Sequence, residues 1–356
     1  MNKCKAAFAI PGDIETLTGG YIYDRKVLTR LRAQGHDISH IALPGTFPEP
    51  PAADMDAAFA SLGHLPADRP VIIDGLAFGA LDPTRVAAIK APIVALIHHP
   101  LAKENGLAPL RQKQLHETER ANLGHAAQVI VPSPHTAAIL TEEYNVPLSK
   151  ISVARPGTDQ PHDVEKPAHP PLLLSVGIQL PRKGHDVLLK ALAAIQDLDW
   201  QAKIVGSALD PAFANALEEL RQSLGLADRV VLTGKIDQEA LGALYRKATI
   251  FALATRYEGY GIVFDEALAH GLPIISCAAG AVIDTVPKGA GVLVPPDDPD
   301  AFAAALRRVL TEQTTRHDMA MVARTAGRNL PGWDDTAEVF QAALARITQS
   351  QRATTT

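Results

Sequence analysis

The sequence is poor in the residue types and patterns that mark several protein classes. Only two of its 356 residues are cysteine, Cys4 and Cys277, and they lie far apart. This spacing fits neither a metal-ligand set nor a redox pair, and we expect a reducing compartment, the cytoplasm. The chain has no run of Lys or Arg and a net charge of -5, whereas nucleic-acid binding needs a basic face. We therefore expect no nucleic-acid partner.

Long apolar segments are also missing. No stretch approaches the roughly 20 apolar residues that a membrane span requires. The apolar run near the N-terminus is interrupted by Pro11, Gly12 and Asp13, too early for a signal peptide, and it predicts a first buried strand instead. We expect no transmembrane segment, and peripheral membrane contact stays open as an alternative.

What the sequence does have is a regular alternation of short apolar runs with helical periodicity. In the first half the runs are KAAFAI, DISHIAL, PVIID, PIVALIHH, AQVIVPS and KISVARPG. In the second half they are PLLLSVGI, QAKIVGS, RVVLTGKI, TIFALAT, PIISCAA and GVLVPP. Alternation of this kind predicts an α/β protein with two doubly wound domains, each with a parallel sheet covered by helices on both faces.

A segment rich in proline and charge, GTDQPHDVEKPAHPP, separates the two halves and predicts a linker. We place the first domain at residues 1–160 and the second at 171–330, and we expect a final helix in 331–356 to pack back on the first domain. Open α/β sheets bind ligands at the carboxyl ends of their strands, in a cleft. The residues that carry function should therefore follow strands.

Two glutamates stand eight positions apart in TRYEGYGIVFDEALAHGLPII, with glycines between them. We predict a strand, a glycine-rich turn and a helix over about 262–270, with Glu258 before the helix and Glu266 in its second turn. A carboxylate pair serves as acid and nucleophile in glycoside hydrolases. Ionised carboxylates also accept hydrogen bonds from sugar and ribose hydroxyls, so a binding role is the alternative.

The amides beside these glutamates favour the binding role. Tyr260, Gly261 and Ile262 lie at the predicted helix N-terminus, where free N–H groups and the helix dipole suit a phosphate. A glycosidase would not need a phosphate site. The stretch therefore indicates binding of a sugar nucleotide.

Two further motifs follow predicted strands. SVGIQLPRKGHDVLL delivers Arg182 and Lys183 just before a helix, an arrangement that suits a diphosphate but also fits an exposed basic turn. GDIETLTGGYIYD places Gly19 and Gly20 at the start of the first helix, where glycine lets the backbone approach a phosphate closely. A plain turn explains this glycine pair equally well.

Two histidines end the run PIVALIHHP. Imidazoles at the carboxyl end of a strand can hydrogen-bond a sugar or stabilise a developing charge near neutral pH. A satisfied structural histidine is the other interpretation of His98 and His99.

Taken together, these residues resemble family 4 of the retaining glycosyltransferases, which have the GT-B fold. The most specific part is the E-x7-E stretch in RYEGYGIVFDEALAHGLPII, and SVGIQLPRKGHDVLL, LTGKID, RPGTD and GVLVPPDDPDAFAAAL support it. The resemblance covers nearly the whole chain. It implies transfer of a sugar, with retention, from a nucleotide-diphosphate sugar to an acceptor hydroxyl, without a metal or other cofactor. We favour a UDP-sugar over a GDP-sugar, and a small soluble acceptor over a lipid or polysaccharide precursor at a membrane surface.

The resemblance also implies a role for each candidate residue. Glu266 would hold the ribose hydroxyls, Glu258 would contact the donor sugar and His98 would support the transition state. The cations would neutralise the diphosphate, so that the catalytic set is His98, Glu258, Lys183 and Arg182. The donor-binding set is Gly20, Gly206, Lys235, Ile236, Tyr260, Gly261, Ile262 and Glu266.

The chain departs from the family pattern at two positions. Ile178 stands where an arginine commonly follows the glycine of the first strand of the second domain, and Asp284 stands where a glutamate is usual. Arg182 would supply the missing charge from another point of the loop. A GT-B epimerase or phosphorylase, and a non-catalytic sugar-nucleotide-binding module, are the alternatives to a transferase.

Overall fold

The computed structural model of the protein describes residues 3–104, 106–161, 163 and 165–355, with side chains up to residue 349. The chain forms two compact units. Unit 1 comprises residues 1–157 and 331–356, and unit 2 comprises residues 158–330. Within the described ranges, no helix is both long enough and apolar enough to cross a membrane.

Unit 1 is built on a six-stranded sheet with the order β2-β1-β3-β4-β5-β6, in which neighbouring strands are parallel. Its strands are β1 (Lys5–Pro11), β2 (Asp37–Leu43), β3 (Val71–Asp74), β4 (Ile93–Leu96), β5 (Gln128–Val131) and β6 (Ile151–Val153). Its helices are α1 (Gly19–Ala33), α2 (Ala52–Gly63), α3 (Gly75–Phe78), α4 (Pro83–Val86), α5 (Pro109–His125), α6 (Pro134–Tyr144) and α14 (Trp333–Thr355), with 3₁₀ turns at Leu101–Lys103 and Leu148–Lys150.

Unit 2 has a second six-stranded parallel sheet, with the order β12-β11-β10-β7-β8-β9. Its strands are β7 (Leu172–Val176), β8 (Gln201–Val205), β9 (Val230–Gly234), β10 (Ile250–Leu253), β11 (Ile274–Cys277) and β12 (Gly291–Val294). Its helices are α7 (His185–Ala193), α8 (Pro211–Ser223), α9 (Gln238–Lys247), α10 (Ile262–Ala269), α11 (Val282–Thr285), α12 (Pro299–Thr311) and α13 (Gln313–Arg328), with a 3₁₀ turn at Pro181–Lys183.

The apolar runs became strands because both faces of each sheet are covered. Every residue of β3, β4, β7, β10 and β11 is buried, as is typical of parallel sheets between helix layers. Several helices begin at a side-chain cap followed by proline, which needs no N–H partner at that position. Ser133, Asp210 and Asp298 are such caps. The prediction of two doubly wound α/β domains is confirmed.

The last helix, α14, belongs to unit 1. Trp333 and Phe340 pack against Tyr23 of α1, with ring centroids 5.9 and 6.2 Å apart. The Thr336 hydroxyl donates to the carbonyl of Arg155 at 2.7 Å. Apolar burial and this hydrogen bond therefore attach the C-terminal segment to the sheet that begins the chain.

Each sheet has a point where the strand order reverses. In unit 1 the reversal lies between β1 and β3, and in unit 2 it lies between β7 and β10. Ligands of open α/β sheets bind beyond the carboxyl ends of the strands at such a point. The loops after these strands, and after β4 beside β3, are therefore where each unit can hold a ligand.

Candidate functional site

In unit 2, a cluster of charged side chains lies at the reversal point of the sheet. The loop after β7 carries Arg182 and Lys183, and the loop after β10 carries Thr255 and Glu258. Because β7 and β10 are neighbours, these loops meet, although their charged residues are 75 positions apart in the chain. We call these four residues the Lys183 cluster.

The Glu258 carboxylate is the centre of this cluster. Its Oε1 lies 2.6 Å from Lys183 Nζ and accepts a hydrogen bond from the Thr255 hydroxyl at 3.0 Å. Its Oε2 lies 3.6 Å from Arg182 Nη1, which also donates to the carbonyl of Tyr257 at 3.1 Å. The cluster therefore combines two cations with one carboxylate and has a net charge of +1.

Burial makes these charges interact strongly. Glu258 is 4 % exposed and Lys183 is 8 % exposed. Burial alone would raise the pKa of Glu258, but the charges of Lys183 and Arg182, together with the hydrogen bonds from Lys183 and Thr255, hold that pKa below its usual value. Glu258 is therefore an ionised carboxylate and cannot act as a general acid near neutral pH.

Glycine lets the Lys183 loop pass close to the sheet. Gly184 has a φ of 63°, and a Cβ there would lie 1.8 Å from the carbonyl oxygen of Ala254. At Gly177 a Cβ would lie 3.1 Å from Lys183 Cδ, so the lysine stem runs directly over this glycine. Any side chain at Gly184 would displace the loop that carries the two cations.

The second glutamate has a different neighbour. Glu266, in α10, accepts a hydrogen bond on Oε2 from the hydroxyl of Tyr245 at 2.7 Å. Tyr245 is buried, and its ring stacks on His270 with centroids 5.0 Å apart. Burial, followed by the charge of Glu266 and the hydrogen bond to it, raises the pKa of Tyr245 well above its usual value, so this hydroxyl stays a donor. Glu266 is thus held by α9, whereas Glu258 is held by the β7 loop.

The other donor-binding candidates lie at strand ends or at the start of α10. Gly261 is the N-cap of α10 with a φ of 88°, and Tyr260 before it donates to Asp265 Oδ2 at 2.5 Å. Ile262 begins that helix. At Gly206, after β8, a Cβ would lie 1.8 Å from the carbonyl oxygen of Gly177, so the two loops are in contact.

Two candidates lie at the far end of that edge. Lys235 and Ile236 follow β9. Lys235 is exposed, while Ile236 packs on the core beneath. The structure therefore places them beyond the carboxyl end of the outer strand of unit 2, apart from the Lys183 cluster in the strand order.

In unit 1, His98 lies beside two buried carboxyl groups. Its Nε2 is 2.9 Å from Asp24 Oδ1, on α1, and 3.5 Å from Asp74 Oδ2, at the end of β3. Gly20 lies against the same ring, because a Cβ there would be 3.4 Å from His98 Cδ2. We call Asp24, Asp74 and His98 the His98 cluster. The neighbouring His99 pairs with a different acid, its Nε2 lying 2.8 Å from Glu104 Oε2.

The groups of the His98 cluster shift one another's protonation. Burial, followed by the charge of Asp24, raises the pKa of Asp74 to about 7. Burial alone would lower the pKa of His98, but the charge and hydrogen bond of Asp24, with the charge of Asp74, raise it. One ligand atom from each of the three residues lies within 4.8 Å of the others, close enough to hold a cation, and no other such group occurs in the described part of the chain.

Sequence reasoning brought Arg182, Lys183, Glu258 and His98 forward but missed the residues that hold them. Asp24 lies on the buried face of α1, beside Tyr23 and Val27, and Asp74 ends the apolar strand β3. An acidic residue on an otherwise apolar face or strand is a pattern by which the sequence could have indicated both residues. Tyr245 gave no such signal, because an aromatic residue on an amphipathic helix is usually core.

Comparison with known proteins identifies the family of the chain. Residues 158–326 match the family described as "Glycosyl transferases group 1", and residues 23–160 match "Glycosyltransferase Family 4". A D-inositol 3-phosphate glycosyltransferase from Xylanimonas cellulosilytica is 30% identical over 73% of this chain and 68% of its own length. An MMP alpha-(1->4)-mannosyltransferase from Mycolicibacterium hassiacum is 26% identical over 85% of this chain and 77% of its own. Some other matches are shorter. A D-inositol 3-phosphate glycosyltransferase from Nocardiopsis dassonvillei is matched over 57% of its own length.

The fold agrees as well. The structure of Anabaena Alr3699/HepE in complex with UDP and glucose superposes with a TM-score of 0.77. It is 15% identical, and the match covers 96% of this chain and 100% of that one. At that identity the likeness concerns the fold, which is GT-B. The two six-stranded parallel sheets, both family matches and the 30% identical relative lead to one conclusion. The chain belongs to family 4 of the GT-B glycosyltransferases.

Proposed function

We propose that the protein transfers a sugar, with retention of configuration, from a nucleotide-diphosphate sugar to an acceptor hydroxyl, and that UDP is the favoured nucleotide. The Lys183 cluster is the observation that carries the proposal. It offers a net charge of +1, from the buried Lys183 and Glu258 and the half-buried Arg182, at the reversal point of the sheet in unit 2. A diphosphate is the group of the donor that this charge complements.

Within that proposal, Glu258 has a different role from the expected direct contact with the donor sugar. Both of its oxygens already face protein cations or a hydroxyl. Its main contribution is to hold the ammonium group of Lys183 in place through the 2.6 Å ion pair. Lys183 and Arg182 together neutralise the diphosphate.

Glu266 is proposed to bind the ribose. One of its oxygens accepts from Tyr245, which orients the carboxylate, and a carboxylate has further lone pairs for two ribose hydroxyls. The amides of Tyr260, Gly261 and Ile262, at the start of α10, supply N–H groups for a phosphate oxygen. Lys235 and Ile236, with Gly206, are proposed to lie by the nucleotide.

The proposed chemistry needs no side-chain nucleophile. The bond between the anomeric carbon and the diphosphate oxygen breaks, the acceptor oxygen bonds to that carbon on the same face, and the acceptor proton passes to the leaving diphosphate. Glu258 is a poor nucleophile for this purpose because it is ion-paired and buried. The protein contributes positioning of the reactants and stabilisation of charge on the leaving group. No metal takes part in the proposal.

The acceptor is proposed to be a small polar molecule that presents a hydroxyl, and unit 1 is proposed to bind it. The names of two relatives support a polar acceptor: one is a D-inositol 3-phosphate glycosyltransferase and the other an MMP mannosyltransferase. A lipid or polysaccharide precursor at a membrane surface is the alternative. The loops TFPEPPAADMD and HHPLAKENGLAPL of unit 1 have acidic or mixed charge, whereas docking on a membrane surface favours a basic segment, and this argues against the alternative.

Two measurements test the proposal. A thermal-shift panel of UDP-, GDP- and ADP-sugars identifies the nucleotide, because a ligand that binds only the folded state raises the unfolding temperature. The donor identified in this way is then incubated without an acceptor, and release of the nucleoside diphosphate is followed. In the same experiment, ¹H NMR shows which anomer of the freed sugar forms first. We expect slow release with the donor's own anomer. Tight binding without release would support a non-catalytic module, and the opposite anomer would contradict retention.

A further inference from the structure

Asp24 is a charged side chain in a position that packing alone would give to an apolar residue. It lies on the buried face of α1 and is 1 % exposed. A buried carboxylate costs several kcal/mol unless a partner satisfies it. Here the partner is His98, whose Nε2 lies 2.9 Å from Asp24 Oδ1.

The ring of His98 is fixed on several sides. Asp24 and Asp74 both face Nε2. The ring of Tyr23 meets it edge-on, with centroids 5.1 Å apart and planes at 85°, and Gly20 leaves room for its Cδ2 edge. The ring therefore cannot exchange the positions of its two nitrogens without breaking the contact with Asp24.

The other ring nitrogen is differently placed. Among the residues that the structure describes, none makes a hydrogen bond with His98 Nδ1, and the side chain keeps 20% of its surface exposed. Nε2 is thus committed to the protein, and Nδ1 is the nitrogen that a ligand can reach.

We propose that Asp24 is a positioning residue for His98: Asp24 binds Nε2 of His98, fixes the ring and thereby presents Nδ1 to a hydroxyl of the sugar substrate. This inference rests on the proposed function for the identity of the ligand, but the pairing itself does not. Asp24 does not touch the substrate. It decides which nitrogen of His98 does.

The pairing also sets the protonation of the ring. The titratable groups against His98 are Asp24 and Tyr23 of α1 and Asp74 of β3. Tyr21 interacts with both carboxyl groups, and His40 of β2 interacts with Asp24. Burial, followed by the charge of Asp74, raises the pKa of Tyr21 to about 12, and burial lowers the pKa of His40, so both stay neutral near pH 7. Asp24 is the largest influence that raises the pKa of His98. The two carboxyl groups thus favour the imidazolium form of His98, in which Nδ1–H donates to the ligand oxygen.

The test is an NMR titration of histidines labelled at ¹³Cε1 and ¹⁵N, in the full-length protein without ligand. The His98 signal is assigned as the one that is lost in His98→Gln. In Asp24→Asn we expect the titration midpoint of His98 to fall by about one unit or more, because an opposite charge at this distance shifts a pKa by roughly 1–3 units. Asp68→Asn, at an exposed position of unit 1, serves as the control and should leave it unchanged. An unchanged midpoint in Asp24→Asn would overturn the proposal.

The wild-type protein gives a second readout if Asp24→Asn does not fold. The ¹⁵N shifts of His98 should show Nε2 protonated throughout the titration and Nδ1 gaining and losing the proton. Titration at Nε2 would overturn the proposal. Nucleoside-diphosphate release then links the pair to activity: kcat/KM should fall as pH rises through the pKa of His98, and this fall should move to lower pH in Asp24→Asn. Absence of any release in the wild type would defeat the proposed function while leaving the NMR result interpretable.

Discussion

The pair formed by Lys183 and Glu258 gives the sharpest test of the proposed donor site, because its structural and functional roles can be separated. We consider Lys183→Met, Glu258→Gln and the double variant. Each single change leaves one buried charge without its partner across the 2.6 Å contact. The double change removes both charges and keeps similar volumes.

Stability should follow the pairing. Loss of one partner of a buried ion pair costs about 3–5 kcal/mol. In Lys183→Met the cost should lie near the low end, because Arg182 and the Thr255 hydroxyl still face Glu258. For a unit of this size, a cost of about 3 kcal/mol corresponds to an unfolding temperature roughly 6–12 °C lower. The double variant should recover most of this loss.

Turnover should depend instead on the Lys183 ammonium group itself, which Lys183→Met and the double variant both lack, although the net charge of the cluster is +1 in the double variant as in the wild type. Removal of one fixed group that stabilises a developing charge lowers kcat by about 10²–10³. We expect Lys183→Met and the double variant to share that defect, measured as nucleoside-diphosphate release. Lys247→Met, at an exposed lysine of α9 whose partner Glu165 lies 3.8 Å away, is the control for loss of a surface charge. Recovery of turnover in the double variant, or full turnover in folded Lys183→Met, would refute the reasoning.

Three further predictions follow from buried contacts of unit 2. Tyr245→Phe keeps the ring but removes the donor to Glu266, so we expect about tenfold weaker nucleotide binding by calorimetry with little change in kcat; unchanged affinity would separate Glu266 from the nucleotide. Burial lowers the pKa of His185 from 6.5 to about 4, so only the unfolded state takes up this proton between those values, and stability should fall by about 3 kcal/mol as pH falls through that window. In His185→Gln, urea unfolding at several pH values should show that part of the pH dependence gone. Gly184→Ala should unfold several degrees lower than Gly225→Ala, because both have positive φ but only the first Cβ meets backbone; equal effects would contradict the close approach.

Much of the fold was predictable because local sequence patterns suffice for it. The helix predicted over about residues 262–270 begins where the structure begins α10, and α10 ends one residue earlier than predicted, at Ala269. The apolar runs match the strands because a parallel sheet buries both faces of each strand. The last residue of a helix is harder to predict than its first, since the last helical turn has no sequence signal as strong as an N-terminal cap.

The candidate site was predictable in part. A strand end followed by Arg182 and Lys183, and another followed by Glu258, placed these residues at one edge of a sheet. The direct ion pair was not predictable, because it depends on β7 lying beside β10, and periodicity does not specify strand order. The same holds for Asp24 and His98, which are 74 positions apart and meet only because α1 and β4 converge in unit 1.

The central claim is that unit 2 binds the diphosphate of a nucleotide sugar through Lys183. Calorimetric titration of the wild type and Lys183→Met with the preferred nucleoside diphosphate, and with the nucleoside alone, tests it most directly. We expect the diphosphate to bind the wild type at least tenfold more tightly than the nucleoside, and this advantage to be largely lost in Lys183→Met. Equal binding of nucleoside and diphosphate by the wild type, or an advantage that persists in the variant, would contradict the account.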